Sequence, residues 1–460
     1  MENLVLTLEQ AAQYLQLSPE ELQVELEKGT VPGRKFLGKW RVHREALDRL
    51  LGVGSNGEAI IPLGDEALQN SDNPLNTLRD LLGQYLGQRD IYSSTHAVSG
   101  RRFFGREQLL RQLTDLVHQG QFLGIFGLRK MGKTSLVYQL RDEKLRGEAV
   151  AYVDLQASAT SSTRDCTPLY WELEHDLYTR LKEQPHAGSE LLRLGQVERF
   201  SDLGEQGTTK AALHFNEDMR SFLDALRSGT LEGINRLVIV LDELERLLPV
   251  AGQQGAAGYL EFFGLLRGLA QQYPGYLSSI VVAANAAISE QGYWEGRENP
   301  VFALYTPIFL PPLLQKECQK MIVTLGKGMS VYWEEDAVQA VFDETAGHPF
   351  LTRSFCSRIA RSYDTRPLTV SASMVQEQIL PFIRDDGDKL SQITELLNRN
   401  FPQEYDILEQ IALGEAPDEL TDESLRHLLG YGLIEAGEAG YSITLNLLRR
   451  WLRRRAGVQG

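Results

Sequence analysis

The sequence predicts an α/β chain: a doubly wound parallel sheet followed by a helical segment, with a small, mainly helical domain at each end. Three observations predict it. From about residue 121 to 310, short apolar runs alternate with segments of helical apolar spacing, the pattern of parallel strands joined through crossover helices. One run, 121–126, breaks into a glycine-punctuated loop that opens a helix. Another, RLVIVLDELERLLP at 236–249, is a continuous apolar run up to Asp242 and Glu243, as suits a central strand covered on both sides.

Length and charge set bounds. A chain of 460 residues exceeds one ordinary core, so several domains are expected. Lys plus Arg number 47 against 62 Asp plus Glu, a net charge of -15. Such a chain does not coat itself on DNA or anionic membrane, so any nucleic-acid contact has to come from a local basic surface. Cys166, Cys318 and Cys356 are odd in number and widely scattered, which fits neither a disulfide framework nor a zinc site. The opening MENLVLTLEQ lacks a basic stretch followed by an apolar one, and no apolar run approaches the ~18 residues of a spanning helix. The expectation is a cytoplasmic, soluble protein with no membrane partner.

The chemistry is carried by GIFGLRKMGKTSLV, 124–137. Within it, GLRKMGKT at 127–134 fits G-x-x-x-x-G-K-[ST] at every fixed position. Gly127 and Gly132 let successive N–H groups curl around phosphates, and the following helix points its positive end at them. Lys133 supplies charge for the β- and γ-phosphates, and the Thr134 hydroxyl is a ligand for Mg²⁺. Gly127, Gly132, Lys133, Thr134 and Ser135 are therefore expected to hold a nucleoside triphosphate. Asp242, on a neighbouring strand at the carboxyl end where open sheets place ligands, is expected to hold Mg²⁺ through its water shell. Glu243 is placed to orient or deprotonate the attacking water. Two acids ending a strand are a weak sign alone; with the loop upstream they become a strong one.

Further strands are expected at 148–155, 276–288 and 303–310, with an amphipathic helix at 259–272. The 276–288 run leads into Asn285. Its amide is either a contact to the γ-phosphate or attacking water, or the turn residue of a strand end.

The chain here resembles a known group. RRFFGREQLL at 101–110, LDELER at 241–246 and ETAGHPFLTRSF at 344–355 follow the order of the STAND class of signal-transduction P-loop ATPases. The resemblance is closer to their archaeal-type branch, related to the origin-recognition AAA+ proteins, and covers 101 to about 385. It implies ATP or ADP as ligand, with Gly105, Arg106 and Pro349 lining an adenine pocket. Locally, Gly105 also reads as a turn before a helix at 106–118, and the 347–349 box as the end of one helix and start of another. Origin-type relatives place a phosphate-sensing arginine where Phe350 stands here, with Arg353 nearly one turn later. That departure implies slow turnover. Arg297, in EGRENP, lies where AAA+ proteins put an arginine finger.

Residues 1–52 resemble the excisionase/MerR-like helix-turn-helix, with Ser18 and Pro19 starting the second helix. That helix carries Glu20, Glu21, Glu25 and Glu27 against Lys28, a poor face for phosphates. The wing at 34–44 has Arg34, Lys35, Lys39, Arg41 and Arg44 with no acid. DNA contact through the wing and use of the domain to grip a protein both remain open. Residues 53–100 read as a linker with a helix at LNTLRDLLGQYLG. The core is expected at 101–310, with 183–230 as a polar insertion, a helical lid at 311–385 and a winged helix at 386–460. The last helix holds five arginines in 449–455, either a solvated helix end or a contact for DNA or an acidic partner.

Three functions fit. The first is a switch whose nucleotide state controls assembly, as a homo-oligomer or with a protein partner. The second is a DNA-dependent AAA+ ATPase of transposition or loading. The third is a transcription regulator gated by ATP.

Overall fold

The computed structural model describes residues 5–15, 18–27, 31, 33–36, 39–43, 47, 90–93, 97–184, 186–247, 255–294, 296–417, 420–437 and 440–458. The chain divides into two units, one of residues 1–91, 326–332 and 363–368, the other of 92–325, 333–362 and 369–460.

In the first unit, strand β1 (Val5–Thr7) runs into helix α1 (Leu8–Leu15), and α2 (Pro19–Glu27) precedes strands β2 (Arg34–Phe36) and β3 (Lys39–His43). The antiparallel order is β1-β3-β2. Each helix starts in a reciprocal cap: Thr7 with Gln10, and Ser18 with Glu21, each pair exchanging backbone N–H to side-chain oxygen bonds. Ala11, Ala12, Leu22, Leu26 and Val42 form the core, with Leu8 and Trp40 packed on it. On the wing, Lys35 pairs with Glu27 at 3.3 Å and lies over the Trp40 ring. The helix expected after the wing, Lys28 and Arg44, and the linker helix at 75–87 all lie outside the described residues, apart from helical Leu47.

The second unit is built on five parallel strands: β4 (Phe122–Phe126), β5 (Ala149–Asp154), β6 (Leu237–Asp242), β7 (Leu277–Ala283) and β8 (Thr306–Phe309), in the order β8-β4-β7-β6-β5. Every residue of β4, β6 and β7 is buried, which suits their largely apolar sequences; the exceptions in β7, Ser278 and Ser279, bond to the Gln121 carbonyl and the Tyr305 hydroxyl. One expectation is corrected. The strand of Asp242 is not beside the strand of the phosphate loop, because β7 lies between them. Sheet order is a tertiary property that strand sequence does not encode.

Helix α3 (Glu107–His118) precedes β4, and α4 (Lys133–Gln139) follows its loop. Helices α5 (Thr167–Leu181), α6 (Ala211–Ser228) and α7 (Tyr259–Gln272) fill the crossovers. Helix α6 corrects the reading of 183–230 as a polar insertion. Phe215, Met219, Phe222, Leu223 and Leu226 are buried along it, a helical stripe that the polar residues between them concealed.

After the sheet come α8 (Gln315–Lys327), α9 (Glu335–Thr345), α10 (Pro349–Arg361) and α11 (Ala372–Asp385). Then follow α12 (Gly387–Asn400), α13 (Pro402–Leu413), α14 (Asp422–Gly430), the hairpin β9 (Ile434–Gly437) and β10 (Gly440–Ile443), and α15 (Asn446–Arg455). In α15, Arg450 pairs with Glu344 at 3.1 Å, and Arg455 donates to the Tyr405 hydroxyl and lies over Trp451. Two of its five arginines thus already have partners in the chain itself. Among the described residues no helix is long and apolar enough to cross a membrane.

Candidate functional site

The loop between β4 and α4 sits at the carboxyl edge of the sheet. Gly132, at φ 85°, is the left-handed residue that turns the chain into α4. A Cβ there would come within 3.2 Å of the Arg106 guanidinium, and one on Gly127 within 3.2 Å of Leu310. Each neighbour would have to give by a few tenths of an ångström, and of the two glycines Gly132 also needs its backbone freedom.

Lys133 is buried, and its Nζ donates to the carbonyls of Gly127 at 2.9 Å and Leu128 at 3.2 Å. Burial pulls its pKa down, opposed by the charges of Glu245, Glu243 and Asp242. The Thr134 hydroxyl donates to Asp242 Oδ2 at 2.7 Å. The loop and the acids expected from the sequence therefore meet, although β7 separates their strands. Ser135 differs from its neighbours. Its hydroxyl accepts from the Val98 N–H at 3.0 Å, so that side chain serves the fold.

Asp242 is 1 % exposed. Burial raises its pKa, while the Thr134 hydroxyl pulls the other way. The Tyr152 hydroxyl also donates to it at 3.2 Å, and the Glu243 N–H at 2.9 Å. Glu243 occupies the left-handed region at φ 58°, uncommon for a side chain of this size. Burial first, then the charge of Glu245, holds its carboxyl above the usual range. That is the direction expected of a carboxylate tuned as a base.

A cavity of about 210 Å³ opens beside these acids, lined among others by Glu243, Glu245, Asn285, Arg129 and Arg399. Asn285 faces it while its Oδ1 caps the next turn through the Ala287 N–H at 3.0 Å. Both readings of that residue are thus compatible. Glu245, which the sequence did not single out, approaches the Ala284 N–H at 3.3 Å.

The two boxes that carry the family resemblance converge on the segment after β8. Gly105 is at φ 72°, and a Cβ there would collide with Glu317. The Arg106 N–H donates to Glu317 Oε1 at 2.7 Å. The Arg106 guanidinium donates to the carbonyls of Met131 and Pro311 at 2.7 and 3.1 Å, and burial lowers its pKa to about 10. Gly347, at φ 71°, accepts from the Leu313 N–H at 3.0 Å. His348 then caps α10, with Pro349 at its first turn. Burial drives the His348 pKa down to about 3, with the Arg106 charge adding to it. Arg106 Nε and His348 Nε2 are buried without a hydrogen-bond partner. Two orphaned polar atoms beside a phosphate-type loop suit a polar heterocycle such as adenine.

Arg353 is not directed to the phosphates: it is buried, and its Nε donates to the Tyr92 carbonyl at 2.8 Å. Phe350 lies under Lys130 of the loop. Arg297 lies on an exposed hairpin, ion-paired with Glu261 at 3.3 Å, and does not line the cavity.

Residues 102–280 match the family model described as an AAA ATPase domain, and residues 5–52 one described as a helix-turn-helix domain. No curated protein matches the chain. Among solved structures, a Walker-type ATPase of Pyrococcus abyssi is similar, with a TM-score of 0.50 at 16% identity over 79% of this chain and 99% of that one. The Aeropyrum pernix ORC2 protein, in ADPNP-ADP complexes, gives a TM-score of 0.44 at 14% identity over 80% and 98%. The Thermotoga maritima RuvB Holliday junction branch migration motor gives 0.37 at 13% over 78% and 96%. The first likeness bears on the fold alone. With the loop and sheet, the domain matches support an ATP-binding ATPase of AAA type behind a helix-turn-helix domain.

Proposed function

We propose that this chain is a slow, regulatory ATPase of the STAND kind, whose bound adenine nucleotide sets how its C-terminal segment is held. The observation that carries the nucleotide reading is the convergence of Lys133, Thr134, Asp242 and Glu243 at one edge of the sheet. Phosphate oxygens are stronger acceptors for Lys133 than the two loop carbonyls it now serves. Thr134 and Asp242 offer the hard oxygen pair that suits Mg²⁺, which when bound neutralises phosphate charge. Glu243 receives the proton of the attacking water, Asn285 orients that water or the terminal phosphate, and Arg106, His348 and Pro349 face the base.

The regulatory part rests on what touches the Asn285 turn. The Tyr431 hydroxyl donates to the Ala284 carbonyl at 3.0 Å and accepts from the Ala286 N–H at 2.9 Å. The C-terminal segment, read as a winged helix, therefore grips the peptide groups on either side of Asn285. Arg129 of the phosphate loop also pairs with Glu395 of α12 at 3.1 Å. A change at the phosphates reaches both contacts directly.

Size measurement of the full chain with ATP, with ADP and without nucleotide tests this. Nucleotide-dependent assembly in wild type, locked by Glu243→Gln and lost in Lys133→Ala, is expected. Identical behaviour of all three overturns the regulatory reading. A second reading, a motor-like oligomer in which Arg297 serves a neighbouring copy, is favoured by the exposure of that hairpin. It requires Arg297→Ala to lower turnover by about 10³ in the assembled state. DNA binding through 34–44 is tested by mobility shift of the full chain on mixed duplex at low salt.

A further inference from the structure

Helix α12 brings four residues, Glu395, Leu396, Arg399 and Asn400, to the cavity beside Glu243. Glu395 is held by Arg129 of the phosphate loop. The buried face of α12, with Leu390, Ile393 and Leu397, sets its rotation, and Glu395 and Arg399, four residues apart and so on one helical face, both line the cavity.

The cations around this cavity are otherwise engaged. Arg129 pairs with Glu395, and Arg246 acts electrostatically on Glu243. Arg164, another lining residue, also has an interaction of its own. The exposed Arg399 side chain makes no hydrogen bond or ion pair among the described residues, and it lines the same cavity as Glu243 and Glu245. A guanidinium left uncommitted in a cavity shared with Glu243, Asn285 and Arg129 of the phosphate loop has the fork geometry by which arginine grips phosphate.

We infer that Arg399 is the phosphate-sensing residue of this site: supplied by the same chain, it contacts the terminal phosphate of ATP and has no counterpart contact in ADP. The inference rests on the nucleotide reading above. It also supplies the function that Phe350 and Arg353 do not provide. The charge that distinguishes ATP from ADP is then read from the C-terminal segment itself, not from the lid.

Calorimetric titration of the full chain with Mg-ATP and with Mg-ADP, alongside phosphate release, tests this on wild type, Arg399→Ala and Arg399→Lys. The expected result for Arg399→Ala is ATP affinity and turnover each reduced about tenfold or more, with ADP affinity within about twofold of wild type. Arg399→Lys, which keeps the charge but not the fork, recovers part of the ATP affinity. Unchanged ATP affinity and turnover in Arg399→Ala overturns the inference alone, and so does an equal loss of ATP and ADP binding. Wild type that binds neither nucleotide overturns the nucleotide reading and this inference together.

Discussion

The Thr134 hydroxyl donates to the Asp242 carboxylate over 2.7 Å and so ties the first turn of α4 to the end of β6. Both are oxygen groups aimed at one point, and the bond between them occupies the place where a hydrated Mg²⁺ is expected. Asp242→Asn keeps the shape but makes a poor metal ligand. Turnover should fall by about 10² or more, and added Mg²⁺ should no longer change nucleotide affinity. Metal titration at fixed ATP checks this; full Mg²⁺ dependence in the variant removes Asp242 from the metal site.

Glu243→Gln should bind ATP as tightly as wild type and release phosphate about 10² to 10⁴ times more slowly. The left-handed backbone at this position is unchanged by the substitution, so the fold should survive. Single-turnover phosphate release measures it. Wild-type rates would assign the base elsewhere, with Glu245 as the nearest alternative.

Buried His427 lies between two carboxylates that accept from its ring nitrogens, with Nδ1 at 2.9 Å from Glu404 and Nε2 at 2.6 Å from Glu290. Arg426 and Glu423 are the other charges nearby. Burial lowers the His427 pKa, but hydrogen bonds to Glu290 and Glu404 and their charges outweigh it, and the net shift is upward. A raised folded pKa means the stabilisation is complete below the ordinary value of 6.5 and is lost as pH rises through the folded value. The thermal stability of wild type should therefore fall, as pH rises above 6.5, in a step that His427→Gln lacks. The same step in the variant would place the titration on another group.

Glu174 gives a second pH signature. Burial first, then the charge of Asp218, raises its pKa from 4.5 to about 9. Its protonated form supports the fold fully below 4.5, and that support is lost as pH rises toward about 9. Glu174→Gln mimics the protonated group while keeping an Oε1 that accepts from the Gly195 N–H. The variant should melt about 2 °C or more above wild type at pH 8 and nearly equal to it at pH 4.5. A variant less stable at pH 8 would show that the charged form is the native one.

The parts written in local sequence were legible. Spacing alone identifies Gly127 to Thr134, the end of β6 and the bounds of α7, because a phosphate loop and a buried strand are made by consecutive residues. Ser18 and Pro19 likewise announce α2. What the sequence withheld depends on chain segments far apart. Nothing near Asp242 says that β7 separates it from the loop, and nothing near Asn285 says that Tyr431 holds the peptides around it. Arg399 looks like an ordinary helix-surface arginine until the fold brings α12 to the cavity that Glu243 and Asn285 line. Glu317, which receives Arg106, was hidden for the same reason: its partner is 211 residues away.

Calorimetry of the full chain against Mg-ATP and Mg-ADP, with Lys133→Ala as the control, tests the central claim most directly. Saturable heat of binding to one site in wild type, absent from Lys133→Ala, is the predicted result. No heat with either nucleotide in a folded wild-type protein, or undiminished binding in Lys133→Ala, would contradict it.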